Sequence, residues 1–216
     1  MVGGWVGIAE PVGLWRDLQH VDWIRYSAAG ALWANRGTPL SVFGNHLSLR
    51  REAYFNAGGM AEARQSVTED NALMRNLLKR TTFRVAFETS LGFLVRTQAE
   101  PTLNTFFGQR RRWAVGARGR GFRSTALMTL AWLPIPVLVT MAWMASPHIA
   151  LVAGGLYLGA EGMLNRRLLR FAGLDKAGWA AWLHPLFFWL YVTAMIPAYL
   201  TQRRVTWKDK EHLHRP

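Results

Sequence analysis

The densest chemistry in the sequence lies in five consecutive residues, Gln109, Arg110, Arg111, Arg112 and Trp113, which read QRRRW. A helix turns by about 100° per residue, so Gln109, Arg112 and Trp113, at i, i+3 and i+4, put an amide, a guanidinium and an indole on one face. The planar fork of arginine suits a diphosphate, and an indole face suits a sugar ring. Gly116 follows on the same face one turn later and leaves room in front of it, while Arg111 and Arg118 point the other way, toward lipid headgroups or solvent. A juxtamembrane basic helix that obeys the positive-inside rule explains the same run with no ligand at all. The five residues alone leave both readings open. A second cluster, Thr68-Glu69-Asp70, heads the stretch SVTEDNALMRNLLKR. There Leu73, Met74, Leu77 and Leu78 make an apolar helical stripe, Ser66 or Thr68 is the N-cap, and Glu69 and Asp70 occupy the first turn, where the helix dipole favours negative charge.

These residues need a scaffold. The QRRRW run belongs to a helix that begins near Thr102, after Pro101. Residues 12–33 read as another helix, with Leu14, Leu18, Val21, Ile24 and Tyr26 recurring at three- and four-residue steps. Between them, SVFGNHLSLRREAYFNAGGM predicts short extended and helical pieces separated by Gly44 and by the Gly58-Gly59 pair, and Phe83, Val85 and Phe87 alternate as in a strand. Mixed elements of this kind fit part of an α/β domain.

Composition limits the partners. The 216 residues carry 26 Lys+Arg against 13 Asp+Glu, a formal charge of +13, which points to phosphate-bearing partners. Eleven tryptophans in a half-apolar chain favour a membrane interface over nucleic acid, which is not an expected partner. With no cysteine, thiol catalysis, disulfides and zinc thiolate sites are excluded. Three stretches predict membrane helices: 125–145 without a charge, 147–164 with Glu161, and 178–200 despite Pro185 and Pro197. Basic residues flank the first span (Arg110, Arg111, Arg112, Arg118, Arg120, Arg123) and follow the second (Arg166, Arg167, Arg170, Lys176), which places residues 1–124 in the cytoplasm. Arg203, Arg204, Lys208 and Lys210 then conflict with a third full crossing: either the tail breaks the charge rule or 178–200 does not fully cross. His20 and His46 are expected at the surface or in loops, His148 and His184 near span ends, and His212 and His214 in a solvated tail.

The ordered set of TED, then QxxRW some forty residues on, then membrane spans, resembles the membrane-bound glycosyltransferases of family 2, which include cellulose, hyaluronan and chitin synthases. FGNHLSLRREAY is similar to the acceptor-side loop of that family, with Gly44-Asn45 leading to Arg50 and Arg51, and VTWKDK resembles its closing WKGR. The resemblance implies the C-terminal part of a GT-A, Rossmann-like α/β domain. It divides the chain into a catalytic part at 1–100, an amphipathic interfacial helix at 101–124, spans at 125–145, 147–164 and 178–200, and a basic tail at 201–216.

It also implies roles. Asp70 is the general base of an inverting hexosyl transfer, Gln109 and Arg112 bind the donor diphosphate, and Trp113, Gly44, Asn45 and Glu69 face the acceptor. The donor is a UDP- or GDP-sugar, the acceptor a polysaccharide or lipid, and the setting a multi-pass protein of the inner membrane among membrane lipids. One departure stands out. Family 2 enzymes hold Mg²⁺ or Mn²⁺ on the donor with an Asp-x-Asp pair, and this sequence contains neither that pair nor another metal-ligand cluster. The expectation is therefore a chain inactive alone, either truncated or one part of a split enzyme whose partner chain carries the nucleotide-binding half. A non-catalytic membrane protein, binding anionic lipid or a partner subunit through its basic helix, explains the charge and the spans but not TED or the Gly44-Asn45 loop.

Overall fold

Helix α1 (Leu14–Asn35) packs against three strands and two later helices. The computed structural model describes residues 1–10, 13–64, 66–90, 92, 94–117, 126, 129–144, 146–173, 178–201, 204–207 and 210–213. Arg118, Arg120, Arg123, residues 125, 127, 128 and 145 of the first expected span, Lys176, Arg203, Lys208 and His214 lie outside them.

The periodic residues Leu18, Val21 and Ile24 are buried as expected, while Leu14 is exposed. What the periodicity did not reveal is that Gln19, His20, Asp22 and Ser27 are buried too. A buried polar side chain is costly unless bonded, and each of these is. Ser27 Oγ accepts the Val6 N–H (3.1 Å), His20 Nδ1 accepts the Ile8 N–H (3.0 Å), and Gln19 holds both the N–H and the carbonyl of Glu100 (2.9 and 3.1 Å). His20 is thus a fully buried brace between α1 and a strand, which corrects its expected place at the surface. His46 lies in a loop, as expected: it is half-buried at the Phe43–His46 turn, its ring lies across Gly4, where a Cβ would strike the imidazole, and its Nδ1 is 3.2 Å from the Trp5 carbonyl oxygen.

Strand β1 (Val2–Gly4) pairs antiparallel with β3 (Leu47–Ser48) and parallel with β4 (Ala86–Glu88), and β2 (Val6–Ile8) pairs parallel with β5 (Val95–Thr97). Short helices α2 (Arg51–Asn56) and α3 (Gly59–Ala63) lead to α4 (Glu69–Arg80). Leu73, Met74 and Leu77 of α4 pack with Ala31, Ala34, Val42 and Phe87 under the three-stranded sheet, whereas Leu78, assigned to the same stripe, faces outward. A fully buried leucine such as Leu77 contributes about 2 kcal/mol. Thr68 is the N-cap residue but its hydroxyl makes no capping bond; Ser66 Oγ accepts the Thr68 N–H instead (3.2 Å).

Beyond α5 (Leu103–Ala117) come α6 (Pro134–Met144), α7 (Pro147–Phe171) and α8 (Ala180–Thr201). Among the described residues one helix is long and apolar enough to cross a membrane, over Ala180–Pro197 with mean hydropathy 1.3, and α6 is a shorter apolar helix. Helix α7 runs past residue 164 because Leu169 and Ala172 pack with Trp5, Leu18 and Ala181 in a second core cluster. Its Glu161 is ion-paired with Arg25 of α1, and Arg25 also donates to Asn165 (2.8 Å). The chain ends in a feature that the reading of 201–216 as a solvated tail does not contain: β6 (Arg204–Trp207) pairs antiparallel with β7 (Lys210–Leu213), His212 among them, and β6 lies beside α5.

Candidate active site

Two helix ends and one loop build the site. The first turn of α4 presents Glu69 and Asp70, both half-buried. Asp70 is held on both oxygens: Oδ2 accepts the N–H of Gly44 (2.8 Å), and Oδ1 accepts the backbone N–H (2.7 Å) and the side-chain amide (3.1 Å) of Asn71. Asn71 in turn bridges to Ser41 and Val42, so the same helix turn that carries Asp70 also fixes the loop in front of it. Gly44 and Asn45 are exposed, at a turn closed by a bridge between Phe43 and His46. Arg75, one turn along α4, adds a cation near Asp70 and was not singled out in the sequence.

Helix α5 closes the other side. The room expected beside Gly116 is occupied: a Cβ there would fall within the Thr68 side chain, so α5 docks directly on the TED turn. The half-buried Arg112, on the same helix, lies within electrostatic reach of Glu69, Glu100 and Asp70. Burial pushes the Arg112 guanidinium pKa down, and the three carboxylates push it back up. Gln109 donates to Glu100 Oε1 (2.6 Å). Trp113 is half-buried, edge-to-face with Trp23 (5.0 Å between centroids) and Tyr26 (5.7 Å). Asp70, Glu69, Gly44 and Arg112 are therefore neighbours, and Trp113 has part of its surface committed to α1. Arg111, expected to point to solvent, is half-buried, and Arg118 lies outside the described residues.

The residue that most departs from its expected place is Arg110, grouped by sequence with the surface charges. It is buried, and its Nη2 is 2.5 Å from Asp22 Oδ2. Its Nη1 donates to Gln109 Oε1 (2.5 Å), and the guanidinium lies over the rings of Trp113 (4.2 Å) and Phe106 (4.4 Å). The other Asp22 oxygen accepts from His184 Nε2 (3.1 Å) and Tyr191 Oη (2.9 Å), both on α8. A carboxylate only accepts, so Tyr191 donates to Asp22 and Tyr26 donates to Tyr191 (2.9 Å). Burial pushes the Asp22 carboxyl up, but the Arg110 guanidinium and the bonds from α8 hold it below the usual range. Burial and the Asp22 charge push the Tyr26 hydroxyl up to about 12. The position of Asp22 between the apolar Val21 and Trp23 was the available signal, since a buried carboxylate needs a cation.

Among the described residues no three His, Asp or Glu side chains converge as metal ligands. Glu69, Asp70 and Glu100 share their space with Arg112, and two of them are engaged by amide or N–H donors. These residues do not fit a divalent cation, and no step below is routed through one.

Neither the curated proteins nor the solved structures include a match to this chain. A sequence model described as glycosyl transferase family group 2 matches residues 18–202. The matched region takes in Gly44, TED, QxxRW and helices α6 to α8, which is most of the chain. With a TED turn and a QxxRW helix docked on each other inside that region, the chain belongs to glycosyl transferase family group 2, a family of sugar transferases.

Proposed function

We propose that the chain catalyses, or supplies the acceptor side of, an inverting transfer of a hexosyl group from a UDP- or GDP-sugar to a membrane-associated polysaccharide or lipid. The observation that carries this reading is the convergence of Asp70, Glu69 and Arg112 at the α4–α5 contact. An acceptor hydroxyl beside Asp70 passes its proton to the carboxylate as its oxygen attacks the anomeric carbon. The bond from that carbon to the diphosphate oxygen breaks, and the leaving diphosphate takes the electron pair. Arg112 meets the charge that develops there, and Gln109 joins it by exchanging Glu100 for a phosphate oxygen. Trp113, Asn45, Gly44 and Glu69 line the acceptor side. The fixed carboxylate supplies position more than basicity, since an ordinary aspartate is already ionised at pH 7.

The membrane setting is supported by the exposed apolar side chains of α6 and the first half of α7, among them Val139, Trp143, Leu151, Val152 and Leu156. Water solvates such a surface poorly, and hydrocarbon covers it. On this reading the protein sits in the inner membrane, with the α4–α5 site on the cytoplasmic side. The test is Asp70→Asn in membranes that carry the enzyme, with transfer followed from labelled UDP-glucose and GDP-mannose. Turnover falls by roughly 10² to 10⁴ with nucleotide affinity unchanged. Turnover near that of the wild type would remove Asp70 from the mechanism.

A further inference from the structure

Arg110 touches two members of the QxxRW motif and is itself buried. One nitrogen of its guanidinium donates to Gln109 Oε1, and its plane lies over Trp113. Its ion-pair partner, Asp22, is shared with His184 and Tyr191 of α8, so a continuous set of polar contacts runs from α8 through α1 to α5. Two facts argue that this cluster does more than hold helices together. Burying a guanidinium and a carboxylate carries a desolvation penalty that an apolar trio of equal volume avoids, so its stabilising effect is small for what is buried. What it supplies is direction. A guanidinium only donates and a carboxylate only accepts, so Arg110 and Glu100 between them fix which way the Gln109 amide faces. The rigid fork fixes the Trp113 ring as well.

We propose that Arg110 is a positioning residue for sugar transfer, and that Asp22, His184 and Tyr191 make the setting of the QxxRW face depend on α8. The catalytic half of this proposal rests on the reading of Gln109, Arg112 and Trp113 as substrate-facing; the structural half does not. Two readouts therefore test it. In the first, the full chain is labelled with 5-fluorotryptophan in lipid nanodiscs, and the Trp113 line is assigned by its loss in Trp113→Phe. Arg110→Lys shifts or splits that line and leaves the line of Trp5, buried in the separate cluster with Leu18 and Val21, where it was. Tyr191→Phe keeps the ring and removes only the hydroxyl bonded to Asp22, and it moves the Trp113 line the same way by less. An unmoved Trp113 line in Arg110→Lys, or lines that move for both tryptophans together, overturns the positioning role. An unmoved line in Tyr191→Phe overturns the link to α8.

The second readout is transfer kinetics in membranes, normalised to folded enzyme by the Trp5 line. Arg110→Lys lowers kcat by about tenfold and leaves KM for the sugar nucleotide within about twofold, because Arg112 remains. Equal kcat per folded enzyme in mutant and wild type would make the cluster purely structural. If Asp70→Asn transfers sugar as fast as the wild type, the catalytic reading fails, while the fluorine lines still decide whether Arg110 sets Trp113.

Discussion

His20 shows how one side chain can carry a pH dependence. Its Nδ1 accepts the Ile8 N–H, so protonation would set a proton against a donor. Burial, with Arg96 nearby, lowers its pKa from 6.5 to about 4. A folded pKa below the unfolded one means that the unfolded chain takes up the proton first as pH falls. Stability is then complete above the unfolded value of 6.5 and is lost progressively toward 4, by up to about 3 kcal/mol. Melting temperatures in detergent should drop between pH 7.5 and pH 5, and His20→Gln should flatten that drop; an unchanged pH slope in the variant would discard the assignment. At this scale the motif residues were legible through the family resemblance of TED, Gly44-Asn45 and QxxRW, and Asp70 accepts the Gly44 N–H. Asp22 and Arg110 were not legible as a pair, because they lie 88 positions apart and local periodicity carries no information about such contacts. Three successive arginines sweep about 200° of helix, so Arg110 and Arg112 cannot share an environment. Sequence did not say which would turn inward.

The joint between α4 and α5 decides whether TED and QxxRW form one site. Gly116 is the point of contact, because no side chain fits between the α5 backbone and Thr68. Alanine at a helical glycine ordinarily stabilises by about 1 kcal/mol. Here Gly116→Ala should destabilise, and should lower turnover as well by pushing Arg112 away from Asp70. Thr68→Ala in the same chain should restore part of both, since the Thr68 hydroxyl makes no capping bond. Thermal melts together with turnover check this; a Gly116→Ala enzyme as stable and active as the wild type would mean that the helices do not meet there. Long elements were legible in the sequence: α1 and α4 start within a few residues of where an apolar stripe or first-turn acids put them, and α5 starts next to the expected Thr102, after Pro101. Strands of three residues such as β2 and β5 were not, because they are too short for an alternating pattern to show. The β6–β7 pair was missed for a different reason: its many basic residues read as a solvated tail.

At the scale of the molecule, the conflict between the basic tail and a third crossing has a structural counterpart. Ala180, Ala181, His184 and Tyr191 of α8 are buried against α1 and α5, and β6 then lies beside α5. Strand β6 is therefore expected on the same side of the membrane as the QxxRW helix. The absence of native cysteine makes the check clean. An impermeant maleimide should label Thr206→Cys together with Asn104→Cys at the start of α5, and not with His148→Cys in the first turn of α7; labelling of Thr206→Cys with His148→Cys would put the tail across the bilayer. The same scale poses the central question, which is whether a chain of formal charge +13 holds a diphosphate by its general charge or by one site. Arg111 and Arg112 are adjacent and chemically identical, but only Arg112 faces Glu69, Glu100 and Asp70. Titration of UDP and GDP against each alanine variant of the enzyme in membranes decides it. Arg112→Ala should weaken binding by about 2 to 4 kcal/mol, the range for removing one partner of a buried charged contact, with Arg111→Ala close to wild type. Equal losses in the two variants would show a diffuse basic patch and contradict a transfer site at the α4–α5 contact.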